Sequence, residues 1–149
     1  MTKVKNIYEF LDGWAPFSTA MSFDNAGLLA GNGEEEVHTV LLALDITPDV
    51  VREAASCGAQ LIVSHHPVMN CKWLPVQTVR SDTPQGHLLL KLLRNGISAV
   101  CMHTNLDVAK GGVNDCLAEA LELVDPGPLG DPEGLCRMGT LASPMSLRG

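Results

Sequence analysis

Apolar residues recur at three- and four-residue steps at the start of the chain, at Val4, Ile7, Phe10, Leu11 and Trp14. That spacing predicts an amphipathic helix, with Thr2 as its N-cap and Pro16 as its stop. The pattern then changes. Residues 37–46 (VHTVLLALDI) are nearly all apolar and β-branched at their start, as a strand buried on both faces should be. Residues 61–64 and 97–102 read as two more short strands. Between them lie helices with matching punctuation. Thr47-Pro48 and Thr83-Pro84 each set an N-cap before a proline in the first helical position, and Gly58 and Gly96 stand where the helices stop. A last amphipathic helix is expected over residues 113–123.

The order is β-α-β-α-β-α with short connections, which predicts an α/β fold: a mostly parallel sheet with helices on both faces. In such sheets ligands bind in the crevice at the C-terminal ends of the strands. Residues 1–124 read as one α/β domain. Residues 125–134 are rich in Pro, Gly and Asp and read as a linker, and residues 137–147 could begin another strand, so 125–149 reads as linker plus the start of a second half.

Composition narrows the classes. At 149 residues with 46% hydrophobic and 18% charged residues the chain suits a globular domain, and 4% aromatics make its core aliphatic. A formal charge of −7 without a basic cluster argues against direct nucleic-acid binding. The cysteines, at 57, 71, 101, 116 and 136, are odd in number and form no C-x-x-C pair, which fits free thiols in a reducing compartment. The N-terminus shows no apolar leader, and charges interrupt every apolar run short of a membrane span. The expectation is a soluble, cytoplasmic protein.

Two polar clusters carry the chemistry. Ser64-His65-His66-Pro67 follows one strand, and His103-Thr104-Asn105-Leu106-Asp107 follows the next. Side chains of consecutive strand residues point to opposite faces, but at a strand end ahead of Pro67 two imidazoles can fan apart within one pocket. With the Asp107 carboxylate they suit Zn, Mn, Fe, Ni or Co better than Ca or Mg. His103 is either a further ligand or a partner that orients one. Asp24-Asn25 reads most simply as an Asx turn. Asp45 is either a helper at a helix cap or a wall of the site, and His38 and His87 read as structural. Phosphate-loop, G-x-S-x-G and Cys–His signatures are missing from the sequence.

Taken together, Asp24-Asn25-Ala26-Gly27-Leu28, Leu44-Asp45-Ile46-Thr47, the run from Gly58 through Ser64-His65-His66-Pro67, and His103-Thr104-Asn105-Leu106-Asp107 with Gly111-Gly112-Val113-Asn114-Asp115 resemble the NIF-three-like family. Its members are often labelled GTP cyclohydrolase 1 type 2 homologues. The resemblance implies an α/β protein with a dinuclear divalent-metal centre, ring-shaped hexamers of identical subunits, and a hydrolase acting on a cyclic or purine-nucleotide substrate. The rival implication is a metal-binding scaffold or regulatory interaction protein without turnover. It places His65, His66 and Asp107 as metal ligands and His103 behind them. It also implies a histidine and a glutamate near the C-terminus that complete the centre. This chain stops before either, and so reads as the first part of a longer protein.

Overall fold

The computed structural model describes residues 1–69, 78–130 and 134–146; Cys71 and the last residue of the expected 137–147 strand lie outside them. Strands β1 (Gly27–Ala30), β2 (Val40–Ala43), β3 (Leu61–Ser64) and β4 (Ser98–Cys101) form one sheet in the order β1-β4-β3-β2. β2, β3 and β4 run parallel, and β1 pairs antiparallel with β4. The expected mostly parallel sheet is present. β1 is an addition, because a four-residue strand opening on a glycine is too short to show a period of two.

Helices α2 (Pro48–Ser56) and α3 (Pro84–Arg94) connect the parallel strands. Their caps form as the sequence predicts: the Thr47 and Thr83 hydroxyls accept from the Val50 and Gly86 backbone N–H groups, each at 3.2 Å. Side chains of β3 and β4 alternate between two cores. Ile62 and Ala99 pack with Val51, Ala54, Leu89 and Leu92 of α2 and α3. Leu61 and Val100 face the other way, toward Val4, Ile7 and Leu11 of helix α1 (Val4–Trp14). Helices therefore cover both faces. Each fully buried Leu, Ile or Val contributes about 1.5–3 kcal/mol.

Three expectations need correction. α1 begins after Lys3, not Thr2, because its first N–H groups are met by the turn over residues 33–36: Val4 N–H donates to the Glu35 carbonyl and Lys5 N–H to Gly33. Its core-facing stripe runs through buried Val4 and partly buried Ile7, Tyr8 and Leu11, with buried Ala15 just past its end, leaving Phe10 71% and Trp14 48% exposed on the flank. β2 is shorter than residues 37–46 and is an edge strand. Val40, Leu42 and Leu44 are exposed where the α1-side face runs out to the β2 edge, so its apolar run does not mean burial on both faces. Finally, the expected linker is partly strand. β5 (Leu123–Pro128) pairs antiparallel with β6 (Arg137–Leu141), since Leu123 and Val124 find partners in Leu141 and Thr140 that local composition does not reveal.

A short helix α4 (Thr104–Val108) follows β4 and turns sharply into α5 (Val113–Ala120). Gly112 makes that turn possible, because a Cβ there would stand 1.9 Å from the Leu106 carbonyl oxygen. Gly112→Ala should therefore destabilise the protein by about 1–3 kcal/mol, read as a lower denaturant midpoint with an unchanged slope. An unchanged midpoint would show that the turn has room to spare.

Candidate metal centre

β3 and β4 lie side by side with Ser64 beside Cys101, so the chain leaves both strands at the same edge of the sheet. His65 and His66 still pair with the extension of β2, donating their backbone N–H groups to Ala43 and Leu44 at 3.2 and 2.9 Å. The Ser64 hydroxyl donates to the His66 carbonyl at 2.8 Å and bends the chain ahead of Pro67. The two rings end with centroids 5.0 Å apart, tilted by 51°. His103, leaving β4, brings its ring to 5.1 Å from His65 and 5.6 Å from His66. The two sequence clusters thus meet, while His38 precedes β2 at the opposite end of the sheet and His87 is on the exposed side of α3.

The nitrogens tell what this group can do. His65 Nδ1 lies 3.0 Å from the Met102 carbonyl, His66 Nδ1 2.7 Å from Asp45 Oδ1, and His103 Nδ1 2.8 Å from Asp24 Oδ1. Carbonyl and carboxylate oxygens only accept, so each neutral ring carries its proton on Nδ1 and keeps a lone pair on Nε2. Ring nitrogens of all three residues come within 4.8 Å of one another. His65 Nε2 is also 3.8 Å from Asp107 Oδ1. Donors about 2.0–2.1 Å from one zinc ion stand about 3.4 Å apart at the tetrahedral angle, so small side-chain adjustments bring these groups onto one ion. By donor chemistry the residues fit a divalent metal.

The His103–Asp107 pentapeptide serves the site at every position. His103 joins the ring cluster, and the Thr104 backbone N–H and hydroxyl both donate to Asp24 Oδ2, at 3.1 and 2.5 Å. Asn105 donates to the Ala15 carbonyl at 2.8 Å and accepts from the His103 backbone N–H at 3.0 Å. Leu106 packs into the α1-side core. Asp107 closes the set from α4. Asn114 then ties the Asp107 carbonyl at 3.2 Å, which fastens α4 to α5.

Two carboxylates matter more than the sequence signals. Asp45 proves to be a wall of the site, holding His66, with both side chains about half exposed. Asp24 is 1% exposed and reaches across the fold to His103 and Thr104, well beyond a local Asx turn. Burial works against its charge, but hydrogen bonds from the Thr104 hydroxyl, His103 and the Thr104 and Asn25 N–H groups outweigh it and hold the carboxyl below the usual carboxylate range. Spacing gives no hint of Asp24 because its partners are 79 and 80 residues away.

The profile of the family described as Duf34/NIF3 (NGG1p interacting factor 3) matches residues 2–149. Among curated proteins, a GTP cyclohydrolase 1 type 2 homolog of Clostridium perfringens is 35% identical over 150 residues, covering 97% of this chain and 56% of that protein. One from Halalkalibacterium halodurans is 38% identical over 121 residues, covering 81% of this chain and 32% of its own. The chain thus spans about a third to a half of the length of such relatives. Among solved structures, a Bacillus cereus protein related to NIF3 is 38% identical with a TM-score of 0.79, covering 87% of this chain and 35% of that one. Reduced HcgD from Methanocaldococcus jannaschii is 35% identical with a TM-score of 0.78, covering 93% and 54%.

If the three Nε2 lone pairs share an ion, His65→Ala and His103→Ala should each lower zinc affinity by more than about 100-fold with the fold retained, as titration against a chelator would measure. A loss of only about 10-fold in His103→Ala would return that residue to orienting a ligand.

Proposed function

The chain belongs to the Duf34/NIF3 family, and from that premise we propose that it carries the metal-binding part of a divalent-metal hydrolase acting on a cyclic or purine-nucleotide substrate. The observation that carries this reading is the convergence of His65, His66 and His103, each fastened at Nδ1 so that Nε2 is left to bind. The name that the curated relatives bear, GTP cyclohydrolase 1 type 2 homolog, supports the substrate class.

A bound divalent cation supplies Lewis acidity, lowering the pKa of water and stabilising negative charge that develops on a substrate oxygen. The chain's own residues hold and orient. His65 and His103, at 19% and 20% side-chain exposure, form the floor of the site, while His66 at 45% stands at its rim. Asp107 adds a carboxylate that can bind one ion or bridge two. Imidazole and carboxylate donors favour Zn, Mn, Fe, Ni or Co over Ca or Mg.

Donor counting sets the stoichiometry. Three imidazoles and Asp107 make four donors among the described residues, enough for one tetrahedral ion and only about two apiece for two ions. A dinuclear centre therefore requires donors from elsewhere, such as the C-terminal histidine and glutamate that the family resemblance implies. The same count favours a second reading. Four protein donors close the shell of a single ion, as in structural sites, which suits a metal-bearing scaffold or regulatory protein.

The 149-residue chain should bind one ion and turn nothing over. A form that carries the C-terminal histidine and glutamate implied by the family resemblance should release formate from GTP, or open a cyclic amide, only when loaded with metal, and should lose this activity in His65→Ala. Full metal loading with no turnover on GTP or a panel of cyclic amides would leave the scaffold reading.

A further inference from the structure

Asp24 sits in the turn before β1 with its side chain fully covered. Its Oδ1 receives hydrogen bonds from His103 Nδ1–H at 2.8 Å and the Asn25 N–H at 2.6 Å. Its Oδ2 receives the Thr104 N–H at 3.1 Å and the Thr104 hydroxyl at 2.5 Å. That hydroxyl in turn accepts the Met21 N–H at 2.9 Å. A backbone N–H therefore faces each carboxylate oxygen. Only an acceptor-only group satisfies both, because an amide would set its NH2 against a backbone N–H in either orientation.

We propose that Asp24 is the positioning residue of the metal centre: it locks His103 with its proton on Nδ1 and its Nε2 lone pair facing the ion. This rests on reading the three histidines as a metal site. A histidine free in water favours the proton on Nε2, the wrong nitrogen for binding here. Asp24 reverses that preference from a buried position, and a metal-binding histidine held by a carboxylate is both oriented and made more basic. The Asp45–His66 pair has the same form but is half exposed, so water competes for it. The centre therefore has a fixed side at His103 and an adjustable side at His66.

A purely structural role is the rival account, since Asp24 also ties the 21–25 turn to α4. Thr104→Val separates the two. It removes the hydroxyl bonds to Asp24 and Met21 but leaves the Asp24–His103 contact.

The experiment reads the tautomers of 15N-labelled histidines in the metal-free protein by NMR, together with zinc and cobalt(II) affinity. Wild type should show His103 protonated on Nδ1. Asp24→Asn should lose that tautomer and bind either metal about 10–100-fold more weakly. Thr104→Val should lose stability yet keep the wild-type tautomer and affinity. The proposal is overturned if wild-type His103 carries its proton on Nε2, if Asp24→Asn retains both tautomer and affinity, or if Thr104→Val loses as much affinity as Asp24→Asn. Should Asp24→Asn fail to fold, the wild-type tautomer and Thr104→Val still decide. A wild type that binds neither metal overturns the metal-site reading as well, whereas normal binding with unaffected variants overturns this proposal alone.

Discussion

β3 and β4 run parallel with Leu61 beside Ser98 and Ser64 beside Cys101, and the site exists because of that register. Parallel strands end at the same edge, so segments 38 residues apart in the chain, at His65 and His103, emerge as neighbours. A shift of one residue would turn Ile62 and Ala99 out of the α2–α3 core and Leu61 and Val100 out of the α1 core. The two apolar cores thus hold the register, and the register holds the histidines together. Stability and chemistry are separated in space but depend on the same pairing.

The ring cluster is held in place by its neighbours. Three imidazoles with converging lone pairs repel one another and would drift apart on a flexible loop. Each is instead tethered from behind, by the Met102 carbonyl, Asp45 and Asp24. The tethers differ in kind. A backbone carbonyl and a buried carboxylate hold His65 and His103, while a half-exposed carboxylate holds His66. Cys101, buried, donates its thiol to the His65 carbonyl at 3.0 Å and so supports the loop.

Much of this arrangement was legible in the sequence where the signal is local. The Thr-Pro caps, the Gly58 and Gly96 stops and the strands before His65 and His103 are each written within a few residues, and they put both clusters at the correct edge. Signals that depend on distant partners were not legible. β1 and β5 are strands because of what they pair with, and Leu42 and Leu44 look like core until the edge position of β2 exposes them. The short helix α4 hides in a segment whose polar residues look like a loop. Asp24 looks like a turn residue and Asp45 like either a cap helper or a site wall, and only the folded chain shows that they hold His103 and His66.

Family membership and fold rest on agreement along residues 2–149 and on close structural relatives. The central physical claim is narrower: three preset imidazoles and one carboxylate hold a single divalent ion. X-ray absorption on the zinc-loaded chain tests it directly. The account predicts three imidazole nitrogens and one oxygen at about 2.0–2.1 Å and no sulfur. A sulfur scatterer at about 2.3 Å, or a shell with fewer than three imidazoles, would contradict it.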